Sequence, residues 1–162
     1  MSSARKKRLG IGMVGGGFVA GFHIRSFEAV RNADVRGVVS RTTETAAKAA
    51  ALANELDVGE AKVFETVAEM VADPGIDAIW ICSPNFTHIG VMEEIVEALD
   101  SGTGELIGVC CEKPLGRNVG EALRMVELVK RAGLLDGYLE NQLFTPGVVR
   151  GKEIVWARGA AL

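Results

Sequence analysis

The chain has 162 residues, 48% of them hydrophobic and 24% charged, with a formal net charge of −3. That length and balance describe one ordinary globular unit able to bury a core, and they exclude a low-complexity or disordered chain. Arg5, Lys6, Lys7 and Arg8 are concentrated at the N-terminus, so the body that follows is more acidic than the net charge states. Such a body is a poor binder of polyanions, which excludes nucleic acid as a partner.

Residues 1–8 read as a disordered, solubilising basic tail. The longest apolar runs are strand-sized, and the N-terminus lacks the apolar stretch of a signal peptide, so no membrane segment and a cytoplasmic location are expected. Leu9-Gly10-Ile11-Gly12-Met13-Val14 alternates glycine with apolar residues, as a short strand buried on both faces does. Gly15-Gly16-Gly17-Phe18-Val19-Ala20 follows and reads G-x-G-x-x-A. Beyond it, Val19, Phe22, Phe27 and Val30 are spaced to line one helical face, with Arg25, Glu28 and Arg31 turned away. Strand, glycine turn and helix start together make a phosphate site. Gly15 permits the tight turn, Gly17 lets the backbone approach a pyrophosphate, and the small Ala20 lets helix and strand pack closely. The free N–H groups at the helix start, around Phe18 and Val19, face the anion. The expected ligand is a dinucleotide.

The pattern then alternates with little interruption. Val35-Arg36-Gly37-Val38-Val39 is a strand ending in Ser40 and Arg41, and an alanine-rich helix covers residues 43–56. Lys62-Val63-Phe64 is a brief strand, after which Thr66 and Glu69 have the spacing of a capping box. Asp77-Ala78-Ile79-Trp80-Ile81-Cys82 is a buried strand ended by Ser83-Pro84-Asn85, and the next helix buries Ile89, Met92, Val96 and Leu99. Leu106-Ile107-Gly108-Val109-Cys110-Cys111 is another, followed by a helix with Ala122, Leu123, Val126 and Val129 on one face and a last strand over residues 137–144. Apolar strands, each followed by an amphipathic helix, predict an α/β fold: a doubly wound parallel sheet covered on both faces.

In such sheets ligands lie at the carboxyl ends of the strands. The residues there are the glycine turn, Ser40-Arg41, Ser83-Pro84-Asn85, Glu112-Lys113-Pro114 and Asn141-Gln142. Ser40 and Arg41 stand where an NAD-type fingerprint expects an acid for the ribose hydroxyls, and the nearest acid, Asp34, is at the wrong end of its strand. Serine and arginine suit a 2′-phosphate, with Thr42 and Thr43 as further donors, so NADP is favoured over NAD. The alternative is that Arg41 stacks on adenine without regard to phosphate. Cys82, Cys110 and Cys111 lie in apolar runs without metal spacing and read as buried free thiols. His23 and His88 have no partner at metal spacing, and no G-x-S-x-G is present, so neither a metal site nor triad chemistry is expected.

The glycine turn, Pro84-Asn85-Phe86-Thr87-His88 after the fourth strand and Glu112-Lys113-Pro114 after the fifth, in this order, resemble the Gfo/Idh/MocA family of NAD(P)-dependent oxidoreductases, which act mostly on sugars, polyols and related small molecules. The similarity runs from about Leu9 to Leu162. It implies a Rossmann domain over residues 9–145 and the start of a second, substrate-binding domain over 146–162. It also implies a catalytic position for Lys113 beside the nicotinamide and the reacting carbon, and a cis Lys113–Pro114 bond. Glu112 is expected to shape the loop or contact ribose. His88 is expected on the nicotinamide-side wall and Asn141 near the nicotinamide; His23 matches a histidine frequent in the family one turn into the first helix, with simple packing beside the glycine turn as the alternative. Leu143 falls where many relatives carry arginine. The second signature of the family, an acid and a histidine acting in proton transfer, has no counterpart here. Substrate would be held through the missing domain, and the apolar face of Val148, Val149, Ile154, Val155 and Trp156 would favour a homo-oligomer. Non-catalytic, nucleotide-sensing members form the alternative class; the retained lysine favours the enzyme.

Overall fold

The computed structural model describes residues 8–159. Six strands, β1 (Leu9–Val14), β2 (Ala33–Val39), β3 (Lys62–Val63), β4 (Ala78–Ile81), β5 (Gly108–Glu112) and β6 (Leu135–Leu139), form one sheet in the order β3-β2-β1-β4-β5-β6. Every pairing is parallel. Parallel neighbours need a crossover, and helices supply it: α1 (Phe18–Ser26), α2 (Thr43–Glu55), α3 (Val67–Ala72), α4 (His88–Asp100) and α5 (Val119–Ala132). The order reverses at β1, whose neighbours are β2 on one side and β4 on the other. That is the switch point at which a doubly wound sheet opens a crevice.

Successive strand residues face opposite sides of the sheet, and two cores result. One joins Met13, Val35 and Val38 to Ala20 and Ile24 of α1 and to Ala46, Ala49, Ala50 and Ala53 of α2. The alanines recur at helical spacing, so α2 lies close against the sheet. The other core joins Val14, Ile79, Ile81 and Val109 to Met70, Met92, Ile95 and Leu128 of the later helices. Local signals fix the helix starts. The Thr42 hydroxyl accepts the Thr45 N–H, Thr66 and Glu69 complete the expected capping box, and the Asn118 side chain accepts the Glu121 N–H.

Several expected faces and limits are corrected. Phe27 is buried as expected, but α1 itself buries Ala20 and Ile24, whereas Val19, Phe22 and Val30 are exposed. On α5, Met125, Leu128 and Val129 form the core stripe and leave Leu123 and Val126 outside. On α4, Met92 and Val96 are buried as expected, while Ile89 and Leu99 only flank the core that Val91 and Ile95 enter. β6 stops at Leu139, because the Glu140 carboxylate accepts the Gln142 N–H and turns residues 141–144 into a 3₁₀ turn. The basic tail lies outside the described residues except for Arg8. That residue is tied down, its guanidinium 2.8 Å from Asp34 and donating to the carbonyls of Arg31 and Ala33. Of the thiols, Cys82 and Cys111 are buried and Cys110 half-buried. A last helix, α6 (Pro146–Ala157), begins on proline, buries none of its residues and packs on the preceding 3₁₀ turn. No helix among the described residues is long and apolar enough to cross a membrane.

Ile79 lies at the centre of β4 and is fully buried. Ile79→Ala is expected to lower unfolding free energy by about 2–5 kcal/mol, read as a fall in the urea midpoint with unchanged slope. A loss below about 1 kcal/mol would show that the core around β4 relaxes to fill the space.

Candidate functional site

The carboxyl ends of β1, β2, β4 and β5 surround a cleft of about 930 Å³. Its floor is the turn between β1 and α1. Gly15 has φ of +106°, and a Cβ there would lie 2.8 Å from the Ser83 nitrogen, so the chain passes β4's end at a distance only glycine allows. A Cβ on Gly16 would lie 2.6 Å from the Thr45 carbonyl oxygen, so this unassigned position of the motif is also held to glycine, by the first turn of α2. A Cβ on Gly17 would meet nothing within 4 Å and would project into open space. Gly17 also caps α1 without a side-chain hydrogen bond, leaving the helix's first N–H groups to whatever lies in the cleft. Phe18 and Val19 are exposed along that rim.

The remaining walls come from the strand ends. Ser40 and the exposed Arg41 follow β2, with Thr45 of α2 beside them. Ser83, Pro84 and Asn85 follow β4. The Thr87 hydroxyl lies 2.7 Å from both the Ser83 hydroxyl and the Pro84 carbonyl, which makes this segment a closed turn. Glu112, Lys113 and Pro114 follow β5, and the Lys113–Pro114 bond is cis. One Glu112 carboxylate oxygen lies 2.8 Å from His23 Nε2, and the other accepts the Lys113 N–H at 3.0 Å. Among the described residues the Lys113 ammonium has no ion-pair partner and is exposed.

Eleven of the expected residues thus meet in one cleft: Gly15, Gly17, Phe18, Val19, Ser40, Arg41, Ser83, Pro84, Asn85, Glu112 and Lys113. Two do not line it. His88 is a buried scaffold residue 1% exposed, rather than a wall residue. Its Nε2 donates to the Ser83 carbonyl at 2.8 Å, and its Nδ1 faces the Pro114 carbonyl at 3.1 Å and the Cys111 thiol at 3.3 Å. It ties two walls together from behind. Asn141 sits on the exposed 3₁₀ turn beyond β6, outside the lining. Sequence reasoning also missed lining residues. Glu65 and Thr66 reach the cleft because β3 ends beside β2, and Phe86 because Asn85 opens a 3₁₀ turn. Their only signals were the capping box and the residue's place between Asn85 and Thr87.

The thiols are silent. Burial pushes Cys82 far above the usual thiol range, with Glu112 adding to the effect, and burial followed by Glu112 pushes Cys111 up to about 12. Both are protonated at neutral pH and are poor nucleophiles. Among the described residues no group of three or more His, Cys, Asp or Glu could hold a metal ion.

A dinucleotide fits this donor set: a close-approach turn, a side-chain-free helix start and hydroxyls on the flanking strands. The model of the oxidoreductase family with an NAD-binding Rossmann fold matches residues 9–137. The chain belongs to this family, Gfo/Idh/MocA. Members similar to it include the 1,5-anhydro-D-fructose reductase of Ensifer adhaerens, 34% identical over 62% of this chain and 27% of that protein. The inositol 2-dehydrogenase of Corynebacterium glutamicum is 32% identical over 77% of this chain and 34% of that protein. Among solved structures, GenD2 from gentamicin A biosynthesis in complex with NAD superposes with a TM-score of 0.78 and 28% identity, over 99% of this chain and 42% of that one. The chain spans between 27% and 40% of the length of such curated relatives.

Gly17→Val is expected to weaken dinucleotide binding tenfold or more while thermal unfolding stays within a few degrees, because the added side chain enters the cleft and not the core. Gly16→Val is expected instead to destabilise the fold, by about 1–3 kcal/mol, against the α2 backbone. Parallel titration and melting of the two variants check both; equal affinities for Gly17→Val and the unsubstituted chain would place the phosphates elsewhere.

Proposed function

We propose that this chain is the nucleotide-binding half of an oxidoreductase that transfers hydride to or from a sugar, polyol or related small hydroxy or oxo compound, with NADP preferred over NAD. The observation that carries the reading is the meeting, in one cleft, of the glycine turn and an exposed lysine at the end of β5 that has no ion-pair partner among the described residues. The nicotinamide, when bound, supplies or accepts the hydride. The chain's own residues do the rest. Turn and α1 start hold the pyrophosphate by backbone N–H groups. Lys113 stabilises negative charge on the substrate oxygen and orients it, since an ammonium at a reacting oxygen favours the developing anion. Glu112 holds the loop in place, as its two hydrogen bonds support. Arg41 and Ser40 receive the 2′-phosphate, with Thr45 near them. The substrate wall and the group that exchanges the hydroxyl proton belong to a further domain, in keeping with the greater length of the relatives. The bare α6 is read as the entry to that domain, and its apolar face as a contact with it or with a second copy.

Paired fluorescence titrations test the cofactor assignment: NADPH is expected to bind the chain more tightly than NADH, and Arg41→Ala to erase the difference. Equal or NADH-favoured affinity overturns the 2′-phosphate site without touching the fold.

Residues 1–162 alone are expected to give no turnover in a screen of sugars and polyols, because proximity and orientation contribute about 7–11 kcal/mol and a missing wall forfeits most of it. Joined to its substrate domain, the protein is expected to lose about a hundredfold or more in turnover on Lys113→Ala, with dinucleotide affinity changed less than about twofold. Robust turnover by the short chain would mean that the pocket is complete within it.

A further inference from the structure

The His23–Glu112 pair joins two elements of the cleft: α1, which carries the glycine turn at its N-terminus, and β5, which carries Lys113 at its end. Both side chains are partly buried, 13% and 14% exposed. The His23 ring stands edge-on to Trp80 of β4 at 5.4 Å, and edge-on to Phe22 at 6.3 Å. An apolar residue would fill that aromatic position without desolvating an imidazole and a carboxylate, so packing alone does not account for the pair. Its geometry does. Glu112 Oε1 accepts from His23 Nε2 and Oε2 accepts from the Lys113 backbone N–H, so both oxygens of one carboxylate are used to fix the residue that follows it.

We propose that His23 is a positioning residue: through the Glu112 carboxylate it sets the backbone of Lys113, and so the placement of the ammonium, relative to the phosphate turn at the other end of α1. This rests on the reading of Lys113 given above. The distance between the phosphate-binding turn and Lys113 has to match the span of the bound dinucleotide, and the bridge that fixes it joins residues 89 apart in sequence. A charge-assisted bridge from α1 to the end of β5 defines that span without touching either the phosphates or the reacting carbon. The imidazole carries its proton on Nε2, because the carboxylate facing it accepts only. His23 is therefore a donor held in one orientation by Trp80.

The test separates donation from packing. His23→Gln keeps an amide N–H where the imidazole Nε2–H stands, whereas His23→Phe keeps an aromatic ring and removes the donor. Amide hydrogen exchange is followed at Lys113, with Val109 of β5 as the internal control. In His23→Phe the Lys113 amide is expected to exchange tenfold or more faster than in the unsubstituted chain, and His23→Gln to restore most of the protection, with Val109 unchanged in both. Should His23→Phe fail to fold, His23→Leu, which also removes the donor, is expected to give the same selective rise at Lys113. An unchanged Lys113 rate in the folded Phe variant, or equal acceleration in Gln and Phe together with loss of protection at Val109, overturns the proposal and leaves His23 a packing residue. NADPH titration of the unsubstituted chain runs alongside. Absence of binding there overturns the functional reading, and the exchange comparison still decides whether the bridge acts on Lys113.

Discussion

The rest of the structure depends on how closely the chain passes the end of β4 as it leaves β1. At Gly15 the backbone lies so near Cys82 and Ser83 that a single added carbon would collide with both, and the positive φ closes the turn in the space that remains. This proximity brings the start of α1 over the switch point between β1 and β4. It aims the helix's free N–H groups across the strand ends instead of along the sheet surface. Gly16, pressed against Thr45, brings α2 to the same place. The cleft is therefore a product of backbone approach, and its side-chain walls are secondary to it.

Those walls are held from behind by polar residues that never reach the cleft. His88 is the clearest example: fully buried, it satisfies the Ser83 carbonyl with one nitrogen and lies against the Pro114 carbonyl and the Cys111 thiol with the other. The Ser83 carbonyl would otherwise be left unpaired beside the buried ring, at a cost of about 1–3 kcal/mol. No buried side-chain nitrogen or oxygen among the described residues is left without a hydrogen-bond partner.

What could be read beforehand divides along the same line. The alternation of strands and helices, the capping box at Thr66 and Glu69 and most of the cleft residues were legible, because apolar runs, caps and glycine turns are local signals. Helix faces were less so. On α1 and α5 the apolar residues cover more than one face, and the sheet takes up the side that fits by shape, Ala20 and Ile24 in one case and Met125 and Leu128 in the other. His88 and His23 were visible as residues but not as partners. Their bonds to Pro114 and Glu112 join segments separated by whole secondary-structure elements, and nothing in the spacing of either histidine encodes that. The early end of β6 turned on one carboxylate, Glu140, folding back on the backbone two residues later.

The switch point also sets a schedule for biosynthesis. Among the described strands β1 is made before the others, yet one of its two neighbours, β4, pairs with it through Ile11 and Ala78, and the residues between them must be synthesised first. At about 5–20 residues per second, that interval is on the order of several seconds. During it, β2 can pair with one edge of β1 while the other edge waits with its N–H and C=O groups open, flanked by the glycines that later admit close packing. The arrangement that places a phosphate turn at the centre of the sheet thus delays the closure of that centre until well over a third of the described chain has been synthesised.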